Sequence, residues 1–560
     1  MTTASDVSAG AARTGTLAVI GAGPAGLAAA LAAAQCGVRV TVVDSAAQAG
    51  GQFYRQPAGA LGARRPQALH HQWRTWQRLR DGLAEQIAVG RVTHLTEHHV
   101  WFVERRGGDA STRQSPGSGP SERVETPSGP SASAAQGGAD GRVSDGQPPV
   151  AGAAASTLGS SSTAAHVGGG QPPVAAAPAP APPAALGARG FVVHALLGPE
   201  QEESVAVHAD AVLLATGGYE KVLPFPGWTL PGVITAGGAQ AMLKGGLVLP
   251  GRTAVVAGTG PLLMPVAAGL AAAGAEVAAL VESADPKAFA RHAATLAAHP
   301  DKLAEGARYA AQMLRHRVPL ASRHTVVEAH GKDALEAVTI AALDAAGRVR
   351  PGTERRIPCD TLAVGHGMLP HTDLAEGLGC RVDGLNVAVD AEQRTDVPGV
   401  WAAGETTGIG GAALSLAEGH IAGRSAAARL RGSAPDPRAW AAAKSRKKMR
   451  EFAAALGAVY VPPAHWAEQL HDDTLVCRCE EVPAAAVREA VEELGGTDAR
   501  TVKLLTRAGM GWCQGRMCSA AVAGLAGCEE RSARRPFARP VPLGALARTA
   551  DDDDEQAPSS

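Results

Sequence analysis

Leu17-Ala-Val-Ile20 is an uninterrupted apolar run of the kind that forms a strand covered on both faces. It leads straight into Gly21-Ala-Gly-Pro-Ala-Gly26, and the alanine-rich stretch that follows as far as Ala34 predicts a helix. Val38 to Val43 then supplies a second strand, so the chain opens on a β-α-β unit. The pattern returns at Thr253-Ala-Val-Val-Ala257, which passes through Gly258-Thr-Gly260 and, after a helical stretch, reaches a strand at Val277 to Glu282.

Two further strands are expected. Asp210-Ala-Val-Leu-Leu-Ala-Thr-Gly217 reads as a buried strand closed by a glycine turn, and Val400-Trp-Ala-Ala-Gly404 as a short one before a helical run from Ala412 to Leu430. An α/β chain is expected, with two Rossmann-like dinucleotide-binding domains, the first interrupted by the second, plus a small C-terminal helical domain. Residues 1–105, 191–248 and 356–430 are expected in the first domain and 249–355 in the second. A helical linker is expected over 431–470, with Lys444 to Arg450 on a solvated face, and the small domain over 471–546. From about 106 to 190 the periodicity vanishes into Gly, Ser, Pro and Ala without one aromatic residue, which predicts a disordered insertion. Residues 547–560 read as an acidic tail.

At 560 residues the chain exceeds one hydrophobic core, and its formal net charge of −1 offers no general polyanion-binding surface, which argues against a nucleic-acid partner. The first residues lack a basic segment followed by an apolar one, and no stretch approaches the roughly 18 apolar residues of a bilayer span. A cytoplasmic protein is expected, with peripheral membrane association left open.

Chemistry enters with the glycines. In Gly21-x-Gly23-x-x-Gly26 the first glycine permits a tight turn, the second lets a diphosphate approach the backbone, and the third lets helix and strand pack closely. Asp44 closes the second strand, where an acid accepts ribose hydroxyls. In the second unit Gly258 and Gly260 are followed by Pro261, so the third glycine is missing; Glu282 takes the acidic position. NAD or another adenine nucleotide there, or a merely structural fold, both remain open.

Four of the eight cysteines crowd into Cys477-x-Cys479 and Cys513-x4-Cys518. In a chain without a leader such clustering favours a metal centre over disulfides. Four thiolates suit iron–sulfur or zinc, and the single-residue spacing of the first pair is unlike a zinc knuckle. Arg478, Lys503, Arg507 and Arg516 lie near in sequence to offset the charge, while Glu480 and Glu481 oppose it. His366 and His371 fall in loop sequence and are expected at the surface.

Ala215-Thr216-Gly217 and the run Thr395 to Glu405 resemble the later motifs of the two-dinucleotide-fold flavoproteins, which implies FAD at the first site. The resemblance implies that Glu405, after Gly404, bonds the ribityl chain; Gly408-Ile-Gly-Gly411 precedes a helix whose N-terminus is expected to face the flavin, or is only a loop. Gly50-Gly51-Gln52 resembles the loop beside the isoalloxazine. The family's disulfide reductases carry a redox cysteine pair that this chain lacks, there being no cysteine between Cys36 and Cys359. Val476 to Val482 and Lys503 to Cys518 resemble the bacterioferritin-associated-ferredoxin-like [2Fe–2S] module, with the four cysteines as ligands. With Arg535 to Gly544, the whole resembles the family that holds the A component of opine oxidase, the B component of hydrogen cyanide synthase and the alpha component of D-hydroxyproline dehydrogenase.

That family implies an FAD- and [2Fe–2S]-containing electron-transfer subunit of a heteromeric amino acid or opine dehydrogenase or oxidase. Its partner would be a second flavoprotein subunit of the D-amino-acid-oxidase-like class, with the electron acceptor open. The alternatives are a self-sufficient NAD(P)H-dependent flavin and iron–sulfur reductase, and a non-redox scaffold with zinc at the four cysteines.

Overall fold

The computed structural model describes residues 15–70, 72–106, 190–201, 203–531 and 535–547. The expected insertion, apart from its end residues 106 and 190, and the tail beyond 547 lie outside the described residues.

Five parallel strands form the first sheet, in the order Val400–Ala402, Ala211–Leu214, Thr16–Ile20, Arg39–Val43 and Val92–Leu95. The strand order reverses beside Thr16–Ile20, and ligands in open α/β sheets sit in the crevice outside the strand ends at such a point. Leu17, Ala18, Val19 and Ile20 are all buried, because helices cover one face and a three-stranded antiparallel sheet covers the other. In that second layer Arg105 on His98–Arg105 stands opposite Phe191 on Phe191–Leu197, and Arg106 N–H donates to the Gly190 carbonyl at 2.8 Å.

Helix Pro24–Gln35 lies under helix Gly411–Leu430 in the same sense, Ala25 against Gly419 and Ala29 against Gly423. A Cβ on Gly419 would sit 2.0 Å from the Ala25 carbonyl oxygen, and one on Gly423 would sit 2.2 Å from that of Ala29. Only hydrogen fits there, so the two backbones touch. Since the second helix begins about two turns before Gly419, its N-terminus projects roughly 10 Å beyond that of the first.

A second parallel sheet runs Leu320–Ser322, Glu276–Glu282, Thr253–Gly258, Thr361–Gly365 and Val233–Thr235. Strands Val233–Thr235 and Thr361–Gly365 therefore lie outside the span 249–355 expected for this unit. A short buried strand carries no mark of its partner, and only pairing decides its sheet. The C-terminal module holds a hairpin, Leu475–Cys477 with Val482–Pro483, and helices Ala484–Glu492, Ala499–Thr506 and Ser519–Leu525 around their own apolar core.

The linker helix Ala441–Val459 is not simply solvated. Arg450 Nε donates to the buried carboxylate of Glu418 at 2.8 Å, and Arg446 Nη1 to Gln393 Oε1 at 2.8 Å. Glu418 in turn accepts from the Gly404 amide at 3.0 Å, so the linker helps to hold the turn before Glu405. Among the described residues no helix is long and apolar enough to cross a membrane.

Candidate functional site

Gly21 leaves its strand at φ +102°, and a Cβ there would sit 2.4 Å from the Ala215 carbonyl oxygen; one on Gly26 would sit 1.8 Å from that of Gly21. Neither position admits a side chain. Gly23 differs: it precedes helix Pro24–Gln35 with no side-chain cap, and a Cβ on it would meet nothing nearer than Gly51 Cα at 4.0 Å. The open face of Gly23 and the unpaired amides of the first turn form a cradle for an anion. Gly50 N–H donates to the Ala22 carbonyl at 2.8 Å, which draws Gly51, at φ +58°, against this loop. Gln52 is exposed and accepts from Arg55 Nη2 at 2.7 Å.

Asp44 ends its strand buried, with Oδ2 lacking any hydrogen-bond partner among the described residues. Burial pushes its carboxyl up, and the amides of Ala46, Ala22 and Ser45 pull the other way. An orphaned carboxylate oxygen at this strand end is what a ribose hydroxyl would satisfy. Across the crevice Thr216 Oγ1 donates to the His371 carbonyl at 2.7 Å, and His371 N–H donates to that of Gly217 at 3.0 Å.

Gly404 turns at φ +81°, and Glu405 opens the single turn Glu405–Thr407. Burial raises the Glu405 carboxyl, with the Gly411 amide partly offsetting it. Gly411, at φ +77°, starts the helix whose N-terminus overhangs the first.

In the second unit the outcome is different. Gly258 turns at φ +125° against the Gly365 carbonyl, but the Gly260 amide donates to Glu282 Oε2 at 3.2 Å, and Glu282 Oε1 accepts from Ala284 N–H at 2.9 Å. The acid and the glycine turn come together, yet they satisfy each other. Tyr460 lies nearby, its hydroxyl pushed up to about 12 by burial and the charge of Glu282.

The four module cysteines come from two loops. Cys477 and Cys518 are buried, Cys513 half-buried and Cys479 exposed. Their thiols pair, Cys477 with Cys518 and Cys479 with Cys513. Burial, then Cys477, pushes the Cys518 thiol far up; Cys479 is raised overall, the Cys513 amide lowering it while burial and the Cys513 thiol raise it. Among the described residues no three His, Cys, Asp or Glu side chains converge as a ready-made ion site. All four thiols nonetheless lie within electrostatic reach of one another, Cys477, Cys513 and Cys479 each raising Cys518. The loops are pressed close, a Cβ on Gly511 falling 2.3 Å from Cys479 Cβ, and four sulfurs as sole donors fit an iron–sulfur centre or zinc.

The nucleotide loop and the module meet in one cavity of about 480 Å³, whose walls include Gly21, Asp44, Thr216, His371 and Cys513. The body and the module are bolted together beside it. Asp373 bonds Arg516 at 2.6 Å and also Arg535; Arg516 Nη1 donates to the Cys513 carbonyl at 3.2 Å. Burial alone would raise Asp373, but His371 and the two guanidiniums hold it below its usual range. Asp373 did not stand out in the sequence, and Arg535 did so only as the start of a resembling segment, with nothing to mark it as its partner. The two histidines are not surface groups. His366 is half-buried and pushed down to about 4 by burial and Lys221, and burial likewise lowers His371.

The fold and these sites define an FAD-dependent oxidoreductase with a BFD-like [2Fe–2S] domain. Residues 16–109 match the FAD dependent oxidoreductase family, 192–428 the pyridine nucleotide-disulphide oxidoreductase family and 475–526 the BFD-like [2Fe–2S] binding domain. The chain is 36% identical to the hydrogen cyanide synthase subunit HcnB of Pseudomonas aeruginosa, over 57% of this chain and 70% of that one. It is 28% identical to the A component of opine oxidase from Agrobacterium tumefaciens, over 92% of this chain and 86% of that one. The chain belongs to the family of HcnB and the opine oxidase A component. A crystal structure of L-proline dehydrogenase from P. horikoshii shares the fold, with a TM-score of 0.56 at 18% identity over 95% of this chain and 79% of that one.

Proposed function

We propose that this chain is the electron-transfer subunit of a heteromeric dehydrogenase or oxidase acting on the C–N bond of an amino acid or opine. The observation that carries this reading is the shared cavity, in which the nucleotide loop and Cys513 face one space. Relatives named as subunits of opine oxidase and hydrogen cyanide synthase support it.

In this reading Gly21, Gly23 and Gly26 cradle the diphosphate of FAD, Asp44 takes the ribose hydroxyls, and Gly51 and Gln52 flank the ring. Thr216 and Gly217 brace the crevice; Gly404, Glu405 and Gly411 hold the ribityl and flavin end. Cys477, Cys479, Cys513 and Cys518 hold the [2Fe–2S] centre. Between them the two groups supply two-electron and one-electron redox chemistry. The chain's own part is to hold both, and to keep the Gly411 helix N-terminus, a partial positive charge, toward the flavin end. The substrate amine would lose two electrons on the partner flavoprotein, so substrate specificity would reside there. The internal Gly260 to Glu282 bond weighs against a self-sufficient NAD(P)H reductase, because a dinucleotide would have to displace it.

The test is co-purification with the partner flavoprotein, followed by an anaerobic screen of amino acids and opines for flavin reduction. Cys479→Ser, at an exposed ligand position, should abolish cluster absorbance and acceptor reduction while FAD stays bound. Full acceptor reduction by that variant would refute the relay, and rapid flavin bleaching by NADH without a partner would select the reductase.

A further inference from the structure

Asp44, His371, Arg516 and Arg539 line the same cavity, and each has one buried side-chain atom, Oδ2, Nδ1, Nε and Nε in turn, without a hydrogen-bond partner among the described residues. One such atom is a small defect in a native structure; four in the walls of one space give those walls unspent hydrogen-bonding capacity, which small side-chain shifts would bring to a polar ligand. Two of the four come from the far end of the chain. Arg516 is fixed by Asp373 and the Cys513 carbonyl, and Arg539 by Gln201 Oε1 at 2.8 Å, so neither guanidinium is free to swing out to solvent.

Trp512 completes the picture. It directly precedes Cys513, is 76% exposed, and still lines this cavity together with Asp44, His98 and His99. Beyond the ribose acid lies the place of the base in a bound dinucleotide, and an aromatic face is what a base stacks upon.

We propose that the cysteine module is the outer wall of the dinucleotide site, with Trp512 stacking on the adenine of FAD and Arg516 and Arg539 meeting its diphosphate. This rests on the reading of the Gly21 to Gly26 loop as the FAD site. The module then serves two purposes, carrying the cluster and clamping the adenosine half of the neighbouring cofactor.

Deflavinated, cluster-loaded protein titrated with FAD and with FMN, which lacks the adenosine half, tests this. Trp512→Ala should weaken FAD by about tenfold to a hundredfold, the usual worth of one base–aromatic stack, and Trp512→Phe should recover most of it. FMN affinity and cluster absorbance should be the same in all three proteins. Unchanged FAD affinity in Trp512→Ala overturns the proposal, as does an equal loss for FMN, which would mean general loosening. Wild-type protein that takes up no FAD would instead sink the underlying reading, and the proposal with it.

Discussion

Asp373 and Arg516 are joined at 2.6 Å, with side-chain exposures of 3% and 17%. Arg535 holds the other carboxylate oxygen. Because Arg516 also bonds the backbone at Cys513, one carboxylate on the nucleotide-binding body fixes the position of a cysteine loop.

Asp373→Asn should therefore do more than remove one bond. It leaves two guanidiniums buried without their counter-charge, which costs about 3–5 kcal/mol in comparable buried pairs. The expected result is faster proteolysis between residues 431 and 475, with a lower thermal midpoint for the module. Unchanged cleavage would show that the apolar contacts alone hold it.

Asp44→Ala should weaken FAD by about 1.5–3 kcal/mol, the range for a hydrogen bond to a charged group. In the apo-protein two effects oppose each other, the unpartnered Oδ2 disappearing while the amides of Ala46, Ala22 and Ser45 lose their acceptor, so its melting midpoint should shift less than FAD affinity does. Equilibrium dialysis and thermal melts read the two effects separately.

At Gly423 two effects compete. Alanine is a better helix former by just under about 1 kcal/mol, but the new Cβ would sit 2.2 Å from a carbonyl oxygen, and overpacking costs about 1–3 kcal/mol. The clash is with backbone, so it should win. Gly423→Ala should lower the melting midpoint and, by pushing the Gly411 helix outward, weaken FAD retention.

The pH dependence follows from His366. Its folded value, about 4, lies below the ordinary value near 6.5, so between the two the unfolded chain binds more protons. Its contribution to stability is complete above about pH 6.5 and is lost as pH falls toward 4. His366→Gln should flatten that part of the stability profile, and an identical slope in both proteins would refute the assignment.

The nucleotide loop was legible because its parts are contiguous: strand, glycines, helix and Asp44 follow one another within a single β-α-β unit. The cysteine cluster was legible for the same reason of local spacing. What escaped was long-range. Asp373 and Arg516 are 143 residues apart, and an aspartate after a histidine in loop sequence gives no sign of a distant arginine. His371 was misplaced because loop composition suggests exposure, whereas this loop is roofed by the module. Residues 356–430 were expected whole in the first domain, yet Thr361–Gly365 pairs into the second sheet, because a short apolar strand would suit either.

One seam in the fold has a practical use. Arg105 and Phe191 face each other on neighbouring strands although residues 106–190 separate them along the chain. The entropy of closing a connection grows slowly with its length, each doubling adding only about 0.6 kcal/mol. That makes the junction a natural grafting point, where a fluorescent reporter or affinity handle could replace the connecting segment while leaving the cofactor machinery in register.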